Sequence, residues 1–592
     1  MSHRFSVWAP RPDRVELVVG ACRLPMSPSG GGWWQAMVED AGPGSRYGFS
    51  LDGGPTRPDP RSLSQPDGID GPSEVVDHGA YRWSDRGWRG VPLAGAVLYE
   101  LHVGTFTAAG TFEASIERLE HLVSLGIDAV EVMPVAEFSG DRGWGYDGAD
   151  LFAPHHAYGG PEGLKAFVDA CHGAGLGVVL DVVYNHLGPA GNYLAEYGPY
   201  FSERYQTAWG AAVNFDGPGS LEVRRFVVEN ALMWLGDYHC DGLRLDAVHA
   251  IFDRSARNIL EQLADEVDVL AAGVGRPLFL MAESDLNDPR FVRSPEIGGL
   301  GMGAAWADDW HHALHAALSG DRSGYYEDFG SLELLAKALR QAWVYDGQWQ
   351  RYRQRIQGRP PVGLRGNQFV VFTQNHDQVG NRADGDRSSA LMSDGRLRIA
   401  AALLLTGPFT PMLFQGEEWG ATSPFQYFTD HRDAELGRAV RDGRRGEFVS
   451  FGWDPDQVPD PQAETTFQAS KLRWDEVASA PHEGLLAWYQ QLIGLRPRLR
   501  TLADPRLSSV EVDVDEEAGT LVVHRTGIDV LVNLGAGPAT FPVPRGTAVL
   551  AASGPDVRLE GAKLLLPPDA VALVEIGRLT ANIGSSWQEA LG

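Results

Sequence analysis

Eight short apolar runs punctuate the middle of this chain, and most of them stop abruptly at an acid, a histidine or an arginine. DVVYNH at 181–186, GLRLDAVH at 242–249, LFLMAESD at 278–285, MGAAWADDWHH at 302–312 and FVVFTQNHD at 369–377 share this design. A strand buried on both faces must be apolar, whereas its end can carry chemistry, so the pattern belongs to parallel strands whose C-terminal ends open on a site. Strands are expected at 97–103, 129–133, 178–183, 242–246, 278–283, 301–306, 369–374 and 412–415, with amphipathic helices at 112–125, 164–172 and 221–238 between the first four. Alternation of this kind produces a parallel sheet with right-handed crossovers, and eight units close it into a (β/α)8 TIM barrel.

At 592 residues the chain is too long for one core. Residues 1–90 alternate β-like runs (FSVWAP, VELVVG, WWQAMV, RYGFSL) with Gly/Pro turns, as a small antiparallel sandwich does; GTLVVHRT, IDVLVNL, TAVLAA and AVALVEI mark a second β unit. The expected organisation is a multidomain α/β protein: an N-terminal β-sandwich over 1–90, the barrel over 91–500 and a C-terminal β-sandwich over 501–592. A long aromatic loop at 187–219, after the third strand, is expected to be functional because loops of that size inside compact domains usually are.

The net charge of −28 argues against nucleic acid or an anionic membrane as partner, since no basic excess exists to neutralise phosphates. A neutral polyol is not repelled, and 17 Trp and 17 Tyr supply flat faces for sugar rings. No secretory signal or membrane-length apolar run is visible, and Cys22, Cys171 and Cys240 lack metal-ligand spacing; a soluble, cytoplasmic protein is expected.

In GLRLDAV the two-residue period puts Arg244 and Asp246 on one face. An isolated Arg-x-Asp is as readily a self-satisfied ion pair; what shifts the reading is Glu283 at the next strand end and Asp377 at a third. Glycosidic cleavage needs a carboxylic acid to protonate the leaving oxygen and a carboxylate to meet the oxocarbenium ion, about 5–5.5 Å apart in retaining enzymes. Neighbouring barrel strands, roughly 4.8 Å apart, suit that distance, so Asp246 fits a nucleophile and Glu283 an acid/base, with Arg244 holding Asp246 ionised and Asp377 accepting bonds from ring hydroxyls. His186 and His376 follow strands and flank acids, which favours substrate contact. His155 and His156 fit a wall or nothing. His311, His312 and His315 beside Asp308 and Asp309 lack the zinc-hydrolase pattern, and no nucleotide fingerprint occurs in context, so neither metal nor cofactor is expected.

At these residues the chain resembles the α-amylase superfamily of retaining α-glucan enzymes: DVVYNH, GLRLDAVH, AESD and TQNHD are similar to its four signature regions, in order. The resemblance implies an immunoglobulin-like fold for the front sandwich, Asp246 as nucleophile, Glu283 as general acid/base and Asp377 as transition-state stabiliser, with Arg244, His186 and His376 lining the reacting glucose. A finer similarity is to the maltooligosyltrehalose trehalohydrolase family, through YELHVGTFT, EVMPVAEF, RGWGYDG, AESDLNDPR, WADDWHHALH, TQNHDQVGNR and FQYFTDH. It implies hydrolysis of the α-1,4 bond between a maltooligosyl chain and terminal trehalose, and a functional pairing with a maltooligosyltrehalose-forming enzyme. By matching position it implies oligosaccharide contacts from Arg244, Leu245, Ala247, Val248 and His249, from Asp308, Asp309, Trp310, His311 and His312, and from His376, Gln378, Val379, Gly380 and Asn381. Trp310 stands where Phe is usual. Leaving-group selection is expected from loops, with Trp209, Tyr146 and Trp310 as candidates. The competing expectations are a glycogen branching enzyme, which shares the barrel and acids, and a non-catalytic glucan-binding relative, disfavoured because all three acids are present.

Overall fold

A computed structural model describes residues 2–449, 455 and 457–576. At its centre, eight parallel strands close into a barrel: β1 (Leu98–Leu101), β2 (Ala129–Val132), β3 (Gly177–Val182), β4 (Gly242–Leu245), β5 (Phe279–Ala282), β6 (Ala304–Trp306), β7 (Phe369–Phe372) and β8 (Thr410–Phe414), with β8 pairing back onto β1. All eight expected strands are present, six of them shorter than the apolar run, while β3 keeps six residues shifted by one and β8 begins two residues earlier and is five long. The difference matters most at the C-terminal ends: Asp246 and Glu283 stand one residue past β4 and β5. Asp377 lies five residues past β7, in the first turn of a short helix, His376–Gly380, and not on a strand as expected.

The barrel interior is layered. Leu98, Ala129, Val179, Met281, Ala304, Val370 and Met412 form an apolar plug that supports everything above it. Two residues further along the same faces come Glu100, Glu131, Asp181 and Glu283, so the layer above the plug is charged.

The helix expected over 112–125 is broken into Phe112–Ile116 and Leu119–Leu125. Thr111 caps the first piece, accepting from the Ala114 amide at 3.2 Å, and the Ser115 hydroxyl donates back to the Thr111 carbonyl at 2.9 Å, competition that loosens a helix at its next turn. Gly126, at φ 93°, ends the second piece. The helices expected at 164–172 and 221–238 span Gly160–Gly173 and Ser220–Gly236.

Two small antiparallel sheets precede the barrel, one built from Ser2–Trp8, Ser27–Gly30 and Trp33–Glu39, the other around Val15–Val19 and Arg46–Leu51. Phe5 of the first packs on Tyr47 of the second, ring centroids 4.8 Å apart. Another pair of sheets follows the barrel, one centred on Ile528–Asn533 and Ala570–Glu575, the other on Lys563–Leu566. The expected C-terminal unit runs to Gly592, and its residues 577–592 lie outside the described residues. The loop at 187–219 carries a hairpin of its own, Phe201–Thr207 with Gly210–Val213, and Trp209 is at its tip.

Candidate active site

The charged layer converges on one guanidinium. Arg244 is fully buried; its Nη1 donates to Asp181 at 2.7 Å and to Asp246 at 2.9 Å, and its Nη2 stands 3.6 Å from Glu283. Period two along β4 does put Arg244 and Asp246 on one face. The second oxygen of Asp246 accepts from Asn185 at 2.7 Å, so both oxygens are acceptors and the group has a carboxylate's bonding pattern. Burial lowers the tendency of Arg244 to hold its proton, but the fields of Asp181, Tyr146, Asp246 and Glu283 outweigh it and push its pKa up.

Glu283 is set differently. Its Oε2 accepts the Ala247 amide at 2.5 Å, and Ala247 holds a left-handed φ of 39°, a strained turn that aims this amide at the acid. Burial raises the Glu283 pKa well above the usual carboxylate range; Asp246, Asp308 and Asp377 add to the rise and Arg244 opposes it. A neutral carboxylic acid therefore sits beside a hydrogen-bonded carboxylate, the division of labour that acid-assisted displacement at a sugar carbon requires.

Asp377 is the most exposed of the three, with 44% of its side chain accessible. Its helix is fixed by Asn375, which accepts from the Gln378 amide at 3.0 Å. Next to it, His376 is clasped by Glu100, through its amide at 3.0 Å and Nδ1 at 2.5 Å, while Nε2 meets the Tyr146 hydroxyl at 2.7 Å. His186 bonds the Asn185 side-chain oxygen and stacks on Trp209, centroids 5.1 Å apart; its burial lowers its pKa despite Asp246 and Asp147.

These groups open on a cleft of about 630 Å³. Of the residues expected there, the three acids, His186, Ala247, His249, Asp308, His312, His376, Gln378 and Asn381 line it, as do Trp209 and Tyr146. Others are placed elsewhere. Leu245, Val248, Trp310 and Val379 are buried apolar side chains on the faces of their elements turned from the cleft, and Gly380 has no side chain to offer. Arg244 lies beneath the floor. Asp309 is spent on the protein's own backbone, accepting from the Val344 and Tyr345 amides at 2.8 and 2.7 Å, and His311 bridges the Thr373 carbonyl and the Tyr326 hydroxyl. The five consecutive residues Asp308 to His312 begin one helix, and only the face carrying Asp308 and His312 reaches the opening.

Sequence reasoning missed Asp285 and Arg353, an ion pair on the rim, and Tyr325, Tyr427 and Arg444 on the walls. The last four come from irregular segments or a helix outside the eight strand ends and carry no periodic signal. Asp308, also on the wall, has its pKa raised to about 7, by burial first and then by Asp377, Asp285 and Asp309.

Among the described residues, Glu137, His155 and His156 bring potential metal-ligating atoms within 4.8 Å of one another. Nδ1 of His155 accepts from the Ala157 amide at 3.1 Å, so its proton is on Nε2, the atom that would have to face an ion; Glu137 instead pairs with His156 at 2.7 Å. Glu137 and His156 satisfy each other, whereas the buried Nε2 of His155 stands 3.8 Å from Glu137 without a hydrogen bond.

The family "Alpha amylase, catalytic domain" matches residues 72–208, and a domain of unknown function, DUF3459, matches 505–573. The malto-oligosyltrehalose trehalohydrolase of Arthrobacter ramosus is 51% identical over 97% of this chain and all of its own length, and that of Saccharolobus solfataricus is 43% identical over 85% and 87%. A crystal structure of a provisionally assigned alpha amylase from Salmonella typhimurium superposes with a TM-score of 0.89 at 39% identity, covering 97% of this chain and 98% of that one. Pullulanase from Paenibacillus barengoltzii, at 19% identity and a TM-score of 0.72 over 98% and 94%, shares the fold. By sequence along nearly its whole length and by the barrel that carries its three acids, this chain belongs to the malto-oligosyltrehalose trehalohydrolase family of α-amylase-type glycoside hydrolases.

Proposed function

We propose that the chain hydrolyses the α-1,4-glucosidic bond joining a maltooligosyl chain to terminal trehalose and releases trehalose, with retention at the cleaved anomeric carbon. Asp246 attacks that carbon as the bond to the trehalose oxygen breaks, and Glu283 gives its proton to the departing oxygen. Water then enters; Glu283, now ionised, takes its proton as the hydroxyl displaces Asp246 and frees the shortened glucan. Asp377 accepts hydrogen bonds from hydroxyls of the distorted ring, and His186 and His376 border the same subsite. The observation that supports this best is the single buried guanidinium contacting both carboxyls, one bonded as an anion and one held neutral by burial.

The family names carry the substrate. We further infer that an enzyme forming maltooligosyltrehalose supplies it, and that both work in the cytoplasm. Three cysteines without disulfides fit that compartment, and among the described residues no helix is long and apolar enough to cross a membrane. The domain division 1–90, 91–500 and 501–592 is part of the same proposal. Incubation with maltooligosyltrehalose and, separately, with amylose tests the reading: free trehalose from the first supports it, whereas new α-1,6 branches in the second with no trehalose from the first assign a branching enzyme.

A further inference from the structure

Two glutamates inside the barrel take no part in the reaction just described. Glu100 on β1 and Glu131 on β2 are register partners on adjacent strands, each 1% exposed, and both point into the charged layer. They are bonded in opposite ways. Glu100 clasps His376 through two contacts, whereas neither oxygen of Glu131 has a partner.

Counting protons in the network above fixes its charge state. The Tyr146 hydroxyl has one proton and donates it to Asp181 at 2.7 Å, so toward His376 it can only accept, and Nε2 must be the donor. Nδ1 faces a carboxylate of Glu100, which also only accepts, so Nδ1 donates too. His376 is then an imidazolium with both protons committed.

We propose that Glu100 is a positioning residue for this reaction: by holding His376 as a two-donor cation it sends the Tyr146 proton to Asp181 and fixes the turn that carries Asp377. The proposal rests on the hydrolytic reading for its kinetic part alone. Without Glu100, a neutral His376 accepts from Tyr146, Asp181 loses that donor, and the chain from Tyr146 through Asp181 and Arg244 to Asp246 rearranges.

The surroundings of His376 agree. Facing it are Glu100 from β1, Glu131 from β2, Asp181 from β3, Arg244 from β4, Tyr146 and His102 from loops, and its neighbour Asp377 at 3.6 Å; the rings of Trp144 and Trp306 close the rest. Burial works against the cation, but Glu100 and Asp377 outweigh it and bring the pKa to about 9. Burial first, then Glu100, holds Glu131 far above the carboxylate range, so the partnerless acid is neutral. Three hydrogen-bond-accepting carboxyls, Glu100, Asp181 and Asp246, thus surround two cations, Arg244 and His376, with Tyr146 and Asn185 supplying further donors.

The test uses Glu100→Gln, Glu100→Asp and Glu131→Gln in the full chain. Glu100→Gln is expected to lower kcat about 100-fold, the cost of a misplaced catalytic group, with KM within about threefold, and to move the alkaline limb of the kcat profile to lower pH by more than about one unit. Glu100→Asp restores the limb, and Glu131→Gln, an amide in place of a neutral acid, stays within about threefold of wild type. Independently of any substrate, 15N-imidazole NMR of the wild-type protein, with the His376 signal assigned by its loss in His376→Asn, should show both nitrogens protonated at pH 7.5. A neutral His376 there overturns the proposal, even if Glu100→Gln fails to fold. A Glu100→Gln enzyme with the wild-type pH profile overturns it as well. Failure to release trehalose with a doubly protonated His376 removes the substrate reading and leaves this charge assignment standing.

Discussion

Replacing Glu283 by Gln separates proton donation from every other task the residue performs. Only 13% of its side chain is exposed, one oxygen is fixed by the Ala247 amide and the volume barely changes, so packing and the Arg244 contacts survive. What is lost is the proton, held at neutral pH because burial and the neighbouring acids raise the pKa. General acid catalysis contributes about 10²–10⁴-fold. The expected loss in kcat/KM on maltooligosyltrehalose is therefore about 3–5 kcal/mol of barrier. α-Maltosyl fluoride departs as fluoride and needs no proton, so on that substrate the first step is spared; the second, which needs a base, becomes slow. Adding azide, which displaces Asp246 from the glycosyl-enzyme without a base, should restore turnover and yield α-maltosyl azide, with retention. The sign of the pH dependence follows: activity falls as pH rises through the Glu283 pKa in the wild type, and that limb disappears in the Gln variant. An equal loss on both substrates, or no response to azide, would refute the assignment of proton transfer to this residue.

Three further outcomes are expected. Arg244→Met leaves Asp181 and Asp246 buried without their shared cation, which costs about 3–5 kcal/mol; because those acids can protonate, the loss measured by thermal denaturation should be larger at pH 8 than at pH 4.5. In Gly380→Ala the added Cβ would lie 2.0 Å from Cζ2 of Trp144, so the ring or the turn behind Asp377 must move; a stability loss of about 1–3 kcal/mol with a clear fall in kcat is expected, and a wild-type kcat would show that the turn tolerates displacement. Asp308 is ionised in the unfolded chain above pH 4 but in the folded protein only above about 7, so it destabilises increasingly as pH rises between those values. Asp308→Asn should gain thermal stability over wild type across that window and level off above it, but lose more of its activity at alkaline pH, since a negative charge that helps Glu283 keep its proton is gone.

The order of apolar runs and their polar ends was enough, from the sequence, to specify a parallel barrel and to point to Asp246, Glu283 and Asp377. Buried parallel strands must be apolar along their length, and the first residues beyond them are free to be charged, so the pattern survives in one dimension. The period-two relation between Arg244 and Asp246 was legible for the same reason. Helix faces and loops were not. Trp310 and His312 are two residues apart, yet one is core and the other lines the cleft, because the outcome depends on which side of that helix meets β7 and which meets the opening. Arg353 reaches the rim from a hairpin distant in sequence from the acid it pairs with, Asp285. The opposite bonding of Glu100 and Glu131 is also a tertiary result: both are inward-facing acids one residue before the end of a four-residue strand, but only Glu100 meets the histidine that follows β7. Local sequence settles which residues can sit at a strand end; closure of the barrel decides which charges face one another, and with that which of them keep their protons.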